Sequence, residues 1–319
     1  MGKMISGQRI LITGGAGFIG SNLAKALCEK NTVYVVDDLS EGFKENLSGL
    51  PVAFFKKDIR DREFMRKLFS THKFNCVFHL AASFANQKSV DDPALDLDVN
   101  GVATLKLLQL AKEFGTKKFV YSSSSCIYGA VDGAMGEELK PMPETPYAIT
   151  KLLGEQYVKF FADFHGLDAV SVRFFNVYGP NEYPGPYRNV IPKFFALARQ
   201  KKPLVITGSG EETRDFTFVE DAVEATILAA EKGTAGEAYN IGSSQETKVI
   251  GLANEINKLA GNEGNVQKGE RRAWDHISRR LSDNSKIKAL GWAPKTKLGE
   301  GLKKTFDWFE QNVKGVSNG

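Results

Sequence analysis

A chain of 319 residues, 42% hydrophobic and 25% charged, has the length to bury a large core and the balance of a folded globular protein. Its 42 basic against 38 acidic side chains leave a net charge of only +4, too even to suggest nucleic acid, and no run reaches the roughly 18 apolar residues that a membrane span needs. Cys28, Cys76 and Cys126 are odd in number and far apart, and the four histidines lack ligand spacing. Neither a disulfide framework nor a metal site is expected, and a reducing, cytoplasmic setting fits.

The first pattern is strand, tight turn, helix. An apolar run at 10–12 precedes glycines at 14, 15, 17 and 20, and a helical pattern follows with Phe18, Ile19, Leu23 and Leu27. Gly14, Gly17 and Gly20 would let the backbone approach a pyrophosphate, which the helix start at Phe18 and Ile19 would attract. The next strand, 33–36, ends in Asp37 and Asp38. Carboxylates there would bond an adenosine ribose diol and repel a 2'-phosphate, which selects NAD over NADP.

Strand 52–55 leads to Asp58 and Ile59, where an acid would reach the adenine amino group or cap the helix expected over 62–70. Strand 76–80 runs into His79-Leu80-Ala81-Ala82. Leu80, Ala81 and Ala82 would admit a nicotinamide ribose, while His79 reads as a packed structural residue. Asn86, Gln87 and Lys88 are unusually polar for this place and are expected to face the substrate. Residues 91–114 form one long helical region with Leu95, Val99, Val102, Leu105, Leu108 and Ala111 on a common side. Asn100, within it, joins the expected cofactor contacts.

Strand five begins at 119–121 and enters YSSSSCIYG at 121–129. Pro146 then opens a helix on which Tyr147 and Lys151, four apart, share a face. A phenol titrates near about 10 in water, and an ammonium beside it favours the phenolate, so Tyr147 is the expected base. A serine at the strand-five end would hold the substrate oxygen and relay its proton.

Short buried strands alternating with helices imply an α/β fold: a Rossmann-type doubly wound parallel sheet with a smaller α/β C-terminal substrate-binding lobe. The expected division is 1–178 for the NAD-binding part that carries the catalytic residues, 179–312 for the mainly substrate-binding lobe, and 313–319 for a frayed tail.

The chain resembles the extended short-chain dehydrogenase/reductase family, in its nucleotide-sugar epimerase and dehydratase branch. The matching pieces are TGGAGFIGS at 13–21, DDLS at 37–40, HLAA at 79–82, SSSSCIYG at 122–129, YAITK at 147–151, RFFNVYGP at 173–180, RDFTFVEDAVEA at 214–225 and LGWAP at 290–294. The resemblance implies Tyr147 as base, Lys151 as holder of the nicotinamide ribose and Ser124 as the catalytic serine. Sugar 4,6-dehydratases carry an acid pair just after that serine, and nucleotide-uronate decarboxylases keep a glutamate at the second position. Ser125 and Cys126 stand there instead, which disfavours both reactions and leaves 4-epimerisation through a transient 4-keto sugar.

UDP-glucose and UDP-galactose are the first expected substrates. A UDP-uronate or UDP-N-acetylhexosamine is the alternative, and a 4-keto reductase, decarboxylase, dehydratase or non-catalytic nucleotide binder stands further back. The resemblance also implies substrate contacts at Asn176 near the diphosphate, Asn189 and Val190 at the base, and Arg214 on the diphosphate, where a guanidinium pairs in bidentate fashion. Arg272 would be the second diphosphate arginine and Asp275 the partner of the nucleotide ribose, with Trp274 where the pattern has glycine. Arg279 and Arg280 are expected to face water rather than a charged sugar substituent. A homodimer through the helices of 94–114 and from 147 onward completes the expectation.

Overall fold

The computed structural model describes residues 5–84, 86–271 and 277–313. Its strands, in chain order, are β1 (Arg9–Thr13), β2 (Thr32–Asp37), β3 (Val52–Lys56), β4 (Cys76–His79), β5 (Lys118–Ser124), β6 (Ala134–Met135), β7 (Ala169–Phe174) and β8 (Val177–Tyr178). They continue with β9 (Leu204–Thr207), β10 (Thr213–Asp215), β11 (Thr217–Phe218), β12 (Ala238–Ile241), β13 (Glu246–Lys248), β14 (Val266–Gly269) and β15 (Arg279–Ser282). The helices are α1 (Phe18–Leu27), α2 (Arg62–His72), α3 (Asn86–Asp91), α4 (Pro93–Asp96), α5 (Ala103–Glu113), α6 (Pro146–His165), α7 (Val190–Arg199), α8 (Val219–Lys232), α9 (Val249–Leu259), α10 (Ser285–Ala289) and α11 (Leu298–Asn312).

Seven strands form one parallel sheet in the order β12-β7-β5-β4-β1-β2-β3. Alternation along β1 sorts its side chains between the two faces. Ile10 and Ile12 enter a core with Val33, Val35 and α8, while Leu11 enters a second core with Val36, Val77, α2, α5 and α6. Both faces are therefore covered, and the middle of β1 and β4 is a continuous apolar run rather than an alternation with polar residues. From β1 the chain moves outward through β2 and β3, then returns to the other side of β1 as β4. That reversal opens a crevice beyond the strand C-termini.

Two small-residue contacts shape the crevice. Gly14 has φ +69°, and a Cβ there would lie 2.6 Å from the Ala81 backbone nitrogen. The turn after β1 thus lies directly against the loop after β4. A Cβ on Gly20 would lie 2.2 Å from the Gly14 carbonyl oxygen, so α1 can start this close to the turn only with glycine at that position.

Beyond this layer, β13-β10-β15-β6 form a four-stranded sheet, and β11-β8 and β14-β9 form two-stranded ones. A third core joins α7, α9 and α11 through Phe194, Phe195, Leu252, Ile256, Leu302 and Phe309. Val313 belongs to this core and its carbonyl accepts from Arg199. The expected frayed tail therefore does not begin at 313, because an apolar side chain and a backbone acceptor tie that residue down; residues 314–319 lie outside the described set.

The long helix expected over 91–114 is interrupted. Asp92 caps a new start by accepting from the Leu95 backbone N–H at 3.0 Å, and Pro93 takes the first helical position. A π-type stretch, Leu97–Val102, then leads into α5. No helix among the described residues is long and apolar enough to cross a membrane.

Candidate active site

A cleft of about 790 Å³ opens at the C-terminal ends of β1, β4, β5 and β7 and reaches across to β10 and β15. One end is lined by Gly14, Gly17, Phe18, Ile19 and Gly20. No side chain caps α1 and its first turn holds no acid, so its leading N–H groups remain for an anion. A Cβ on Gly17 would meet only the Gly14 carbonyl oxygen, at 3.2 Å. The missing side chain there keeps room on the cleft side, as a pyrophosphate requires.

Asp37 and Asp38 line the same end. Asp37 accepts from the backbone N–H groups of Ala16 at 3.0 Å and Leu39 at 2.9 Å. It therefore fixes the glycine turn, and its remaining lone pairs can still take a diol. Burial pushes its carboxyl up, against those backbone bonds. Asp58 and Ile59 line the cleft as well, and Asp58 is paired with Arg60 at 2.7 Å. Leu80, Ala81 and Ala82 complete the cofactor end.

Asn100 stands apart. It is buried and does not line the cleft: its amide accepts from Ser83 N at 2.8 Å and donates to the Ser83 carbonyl and to Asp96. These bonds make it a brace for the loop after β4. His79 is structural too, held between the Thr13 and Thr104 hydroxyls at 2.7 and 2.8 Å. Burial first, then Lys151, lowers its pKa to about 3.

The centre of the cleft gathers Ser124, Tyr147 and Lys151. Thr145 caps α6 by accepting from Ala148 N, and Pro146 takes the first turn. The helix end is thereby fixed one residue before Tyr147, whose own N–H donates to Ser89 Oγ at 3.0 Å. Lys151 Nζ donates to the Ser122 carbonyl at 2.8 Å and stands 5.7 Å from the Tyr147 ring centre. Ser124 Oγ accepts from Cys126 N at 3.1 Å.

Burial lowers the Lys151 pKa to about 8, while Asp96, Cys126 and Glu155 resist. The Tyr147 phenol lies well above its ordinary value, chiefly through burial, then through Cys126 and Asp96, with a hydrogen bond from Ser124 opposing. The i,i+4 spacing predicts that Lys151 draws the phenol down. In the folded chain desolvation outweighs that pull, so the phenolate depends on further positive charge close to the ring.

At the far end stand Asn86, Ser125, Cys126, Asn176, Asn189, Val190 and Arg214. Asn86 accepts from Thr145 Oγ1 at 2.7 Å and reaches Cys126 Sγ at 3.5 Å. Asn176 adopts φ +29° and donates to the Asp215 carbonyl at 3.2 Å. Asn189 precedes α7 and donates to Glu182 Oε1 at 2.8 Å. Arg214 donates to the backbone carbonyls of Thr213 and Ile277. Arg272 and Asp275 fall outside the described residues, as does Trp274.

Several cleft residues escape a sequence-only reading. Glu41 pairs with Lys88 and with Arg188, both at 3.1 Å, tying α3 and two distant loops together at the rim. Glu182 is buried, with Oε2 unpartnered among the described residues. Arg280 corrects the expectation that both late arginines face water. Arg279 does project outward, to Glu246 at 2.6 Å. Arg280, next along the strand, turns inward and donates from Nη1 to Ser125 Oγ at 3.2 Å and Cys126 Sγ at 3.3 Å. The alternation of β15 sets that orientation, and no motif announces it because β6 and β10, which flank β15, lie far away in the chain.

A glycine turn on a helix start, an acid at the next strand end and a Ser-Tyr-Lys set in one cleft define a dinucleotide-dependent, Rossmann-type enzyme. The chain belongs to the NAD dependent epimerase/dehydratase family, whose model matches residues 10–242, and is of the extended short-chain dehydrogenase/reductase type. The cofactor of the family is NAD, and the capless start of α1, the space beside Gly17 and the Asp37 carboxylate fit it.

The structure superposes on an epimerase of Methanothermobacter thermautotrophicus with TM-score 0.93 and 43% identity, covering 97% of this chain and 94% of the other. It matches the UDP-glucose 4-epimerase of Thermotoga maritima, solved with UDP-glucose, with TM-score 0.92 and 38% identity over 96% and 100% of the two chains. It is also 34% identical to human dTDP-D-glucose 4,6-dehydratase over 98% of this chain and 92% of that protein. Overall likeness therefore spans more than one reaction, and the choice among them falls to the site.

Proposed function

We propose that the protein is an NAD-dependent 4-epimerase of a nucleotide-diphosphate sugar, most plainly a UDP-linked hexose, with a UDP-uronate or UDP-N-acetylhexosamine as the alternative class. One observation carries this choice: Ser125 and Cys126 occupy the two cleft positions after Ser124. Neither supplies the carboxylic acid that elimination of water from the sugar would use. The cofactor falls to 1–178 and the sugar nucleotide mainly to 179–312. Three free thiols, Cys28, Cys76 and Cys126, support a cytoplasmic setting.

NAD+, held by the α1 start and Asp37, would supply a hydride acceptor and donor and a positive charge. The chain's own groups do the rest. Ser124 holds the sugar 4-hydroxyl, and Tyr147 takes its proton as the carbonyl forms. Lys151, fixed on the Ser122 carbonyl, keeps its ammonium over the Tyr147 ring and favours the phenolate. The 4-keto sugar then turns within the cleft, and Tyr147 returns the proton when the opposite face is reduced. Arg214 and Asn176 hold the diphosphate end meanwhile, so the sugar can reorient without leaving.

The protein should invert C4 of a UDP-sugar with no cofactor added beyond what it carries. Incubation with a panel of UDP-hexoses, UDP-uronates and UDP-N-acetylhexosamines, read by NMR, checks this. Stoichiometric use of NADH would point to a reductase instead, and loss of water would point to a dehydratase.

A homodimer is part of the same proposal. Ile149, Phe160 and Phe164 on α6 are exposed, Phe164 by 75%, and Leu97 and Val102 before α5 are exposed beside them. These apolar side chains support pairing of two copies through both helices. Sedimentation should give a dimer that Phe164→Asp weakens.

A further inference from the structure

We propose that Arg280 receives a carboxylate on C5 of the sugar, which makes the preferred substrate a nucleotide-diphosphate hexuronate; this rests on the 4-epimerase assignment and narrows its substrate class. Arg280 is 8% exposed and lines the cleft. Its side chain donates to a hydroxyl and a thiol, and among the described residues no carboxylate forms an ion pair with it. A guanidinium withdrawn from water without an acid is costly. At the wall of a substrate cleft, an incoming anion is the group that offsets that cost.

Its position says which anion. Ser125 and Cys126, which Arg280 touches, directly follow Ser124, the residue assigned to the 4-hydroxyl. In the strand register Arg280 lies opposite Arg214, the residue assigned to the diphosphate. Arg280 thus stands between the reacting carbon and the diphosphate. On a pyranose, C5 is bonded to C4 and reaches C1 through the ring oxygen, so a C5 substituent occupies that same interval. A hydroxymethyl group there leaves the cation uncompensated, so the site favours the uronate alternative over the plain hexose. A carboxylate can take its planar fork in bidentate fashion, displacing the weaker thiol contact.

The Cys126 thiol already reports the field. Burial pushes it up, but Arg280, Ser124 and Asn86 together hold it below its ordinary value. The pocket therefore favours negative charge at the place where a C5 carboxylate would enter. Lys88, which also lines the cleft, is paired with Glu41 at 3.1 Å.

The test uses the protein as purified, with its cofactor, and compares UDP-glucuronate and UDP-galacturonate with UDP-glucose. The expected result is a kcat/KM preference for the uronates of about 10-fold to 100-fold, the range that charge-assisted hydrogen bonds give. In Arg280→Gln that preference should collapse, mainly through a raised KM for the uronates, and Arg280→Lys should recover part of it. NAD content and a melting curve confirm that each variant is folded. A wild-type preference for UDP-glucose would overturn the proposal, and so would equal losses on both sugar types in Arg280→Gln, which mark Arg280 as a mere brace for residues 125 and 126.

Binding measured by calorimetry separates this proposal from the 4-epimerase assignment. If no sugar is inverted, or if the uronate loses CO2, the 4-epimerase assignment falls. Tighter binding of the uronate that is lost in Arg280→Gln would still uphold the carboxylate site, and equal binding of both sugars would remove it.

Discussion

The two ends of the cleft are built in different ways. At the cofactor end, the turn after β1, the start of α1 and Asp37 come from one stretch of 24 residues, 14–37, and they fix one another through backbone contacts. At the sugar end, Asn86, Cys126, Arg214 and Arg280 arrive from four separate parts of the chain; side chains join Asn86 and Arg280 to Cys126, and strand pairing sets Arg214 beside Arg280. A local unit tolerates little variation because its own backbone fills the space. A distributed one can change a single side chain and with it the substrate. This is a physical reason for one family to hold epimerases and dehydratases on the same frame.

The largest expected effect separates the ends at their junction. Tyr147→Phe removes the proton acceptor but leaves the apolar ring against Phe84. Turnover should fall about 10²-fold to 10⁴-fold, while the NAD that co-purifies is unchanged. Turnover near the wild-type level would rule out Tyr147 as the base. Loss of NAD would show that the two ends are not separable at this residue.

A smaller effect strikes the local end alone. In Gly20→Ala the new methyl would lie 2.2 Å from the Gly14 carbonyl oxygen. Backbone must move, at a cost of about 1–3 kcal/mol, and the moving part is the turn that holds the pyrophosphate. The variant should unfold at lower denaturant and retain less NAD, yet show little change in the ratio of its rates on different sugars. A changed sugar ratio would mean that the cofactor end helps to set specificity.

What could be read beforehand follows the same division. The large sheet, its α/β character and the cofactor turn were legible because short apolar runs between helical patterns, glycine spacing and a terminal acid are local signals. Ser124, Tyr147 and Lys151 were legible as residues to meet in one place, though not as a balance of forces: the raised phenol comes from burial, which a spacing rule does not contain. Arg280 was misjudged because its inward turn depends on β15 pairing with β10 and β6, and an arginine pair in a sequence looks alike from both sides. The bracing role of Asn100 was hidden for a related reason: Ser83, Asp96 and Thr150 surround its amide, and only the folded loop shows it. The break at Asp92 lay in plain view as an Asp-Pro helix start, overridden by the apolar periodicity on either side.

The smallest expected effect concerns a residue that joins the two ends. Glu182 is 3% exposed and follows Asn181, whose amide donates to Ser21 on α1 at 3.0 Å. Its Oε1 accepts from Asn189 at the start of α7, while Oε2 has no partner among the described residues. Burial raises its carboxyl from an ordinary 4.5 to about 7. Between those values the folded chain holds a proton that the unfolded chain has released, so stability falls as pH rises across that window and the full penalty is felt above it. The shift corresponds to about 3 kcal/mol, and an unpartnered amide in its place gives back about 2 of that. Glu182→Gln should therefore be about 1 kcal/mol more stable than the parent near pH 8, with the advantage vanishing or reversing near pH 5. Denaturant unfolding of both proteins at the two pH values measures it. An advantage that does not change with pH would show that the Glu182 carboxyl does not titrate in this window, and that the junction between the two ends carries no buried charge.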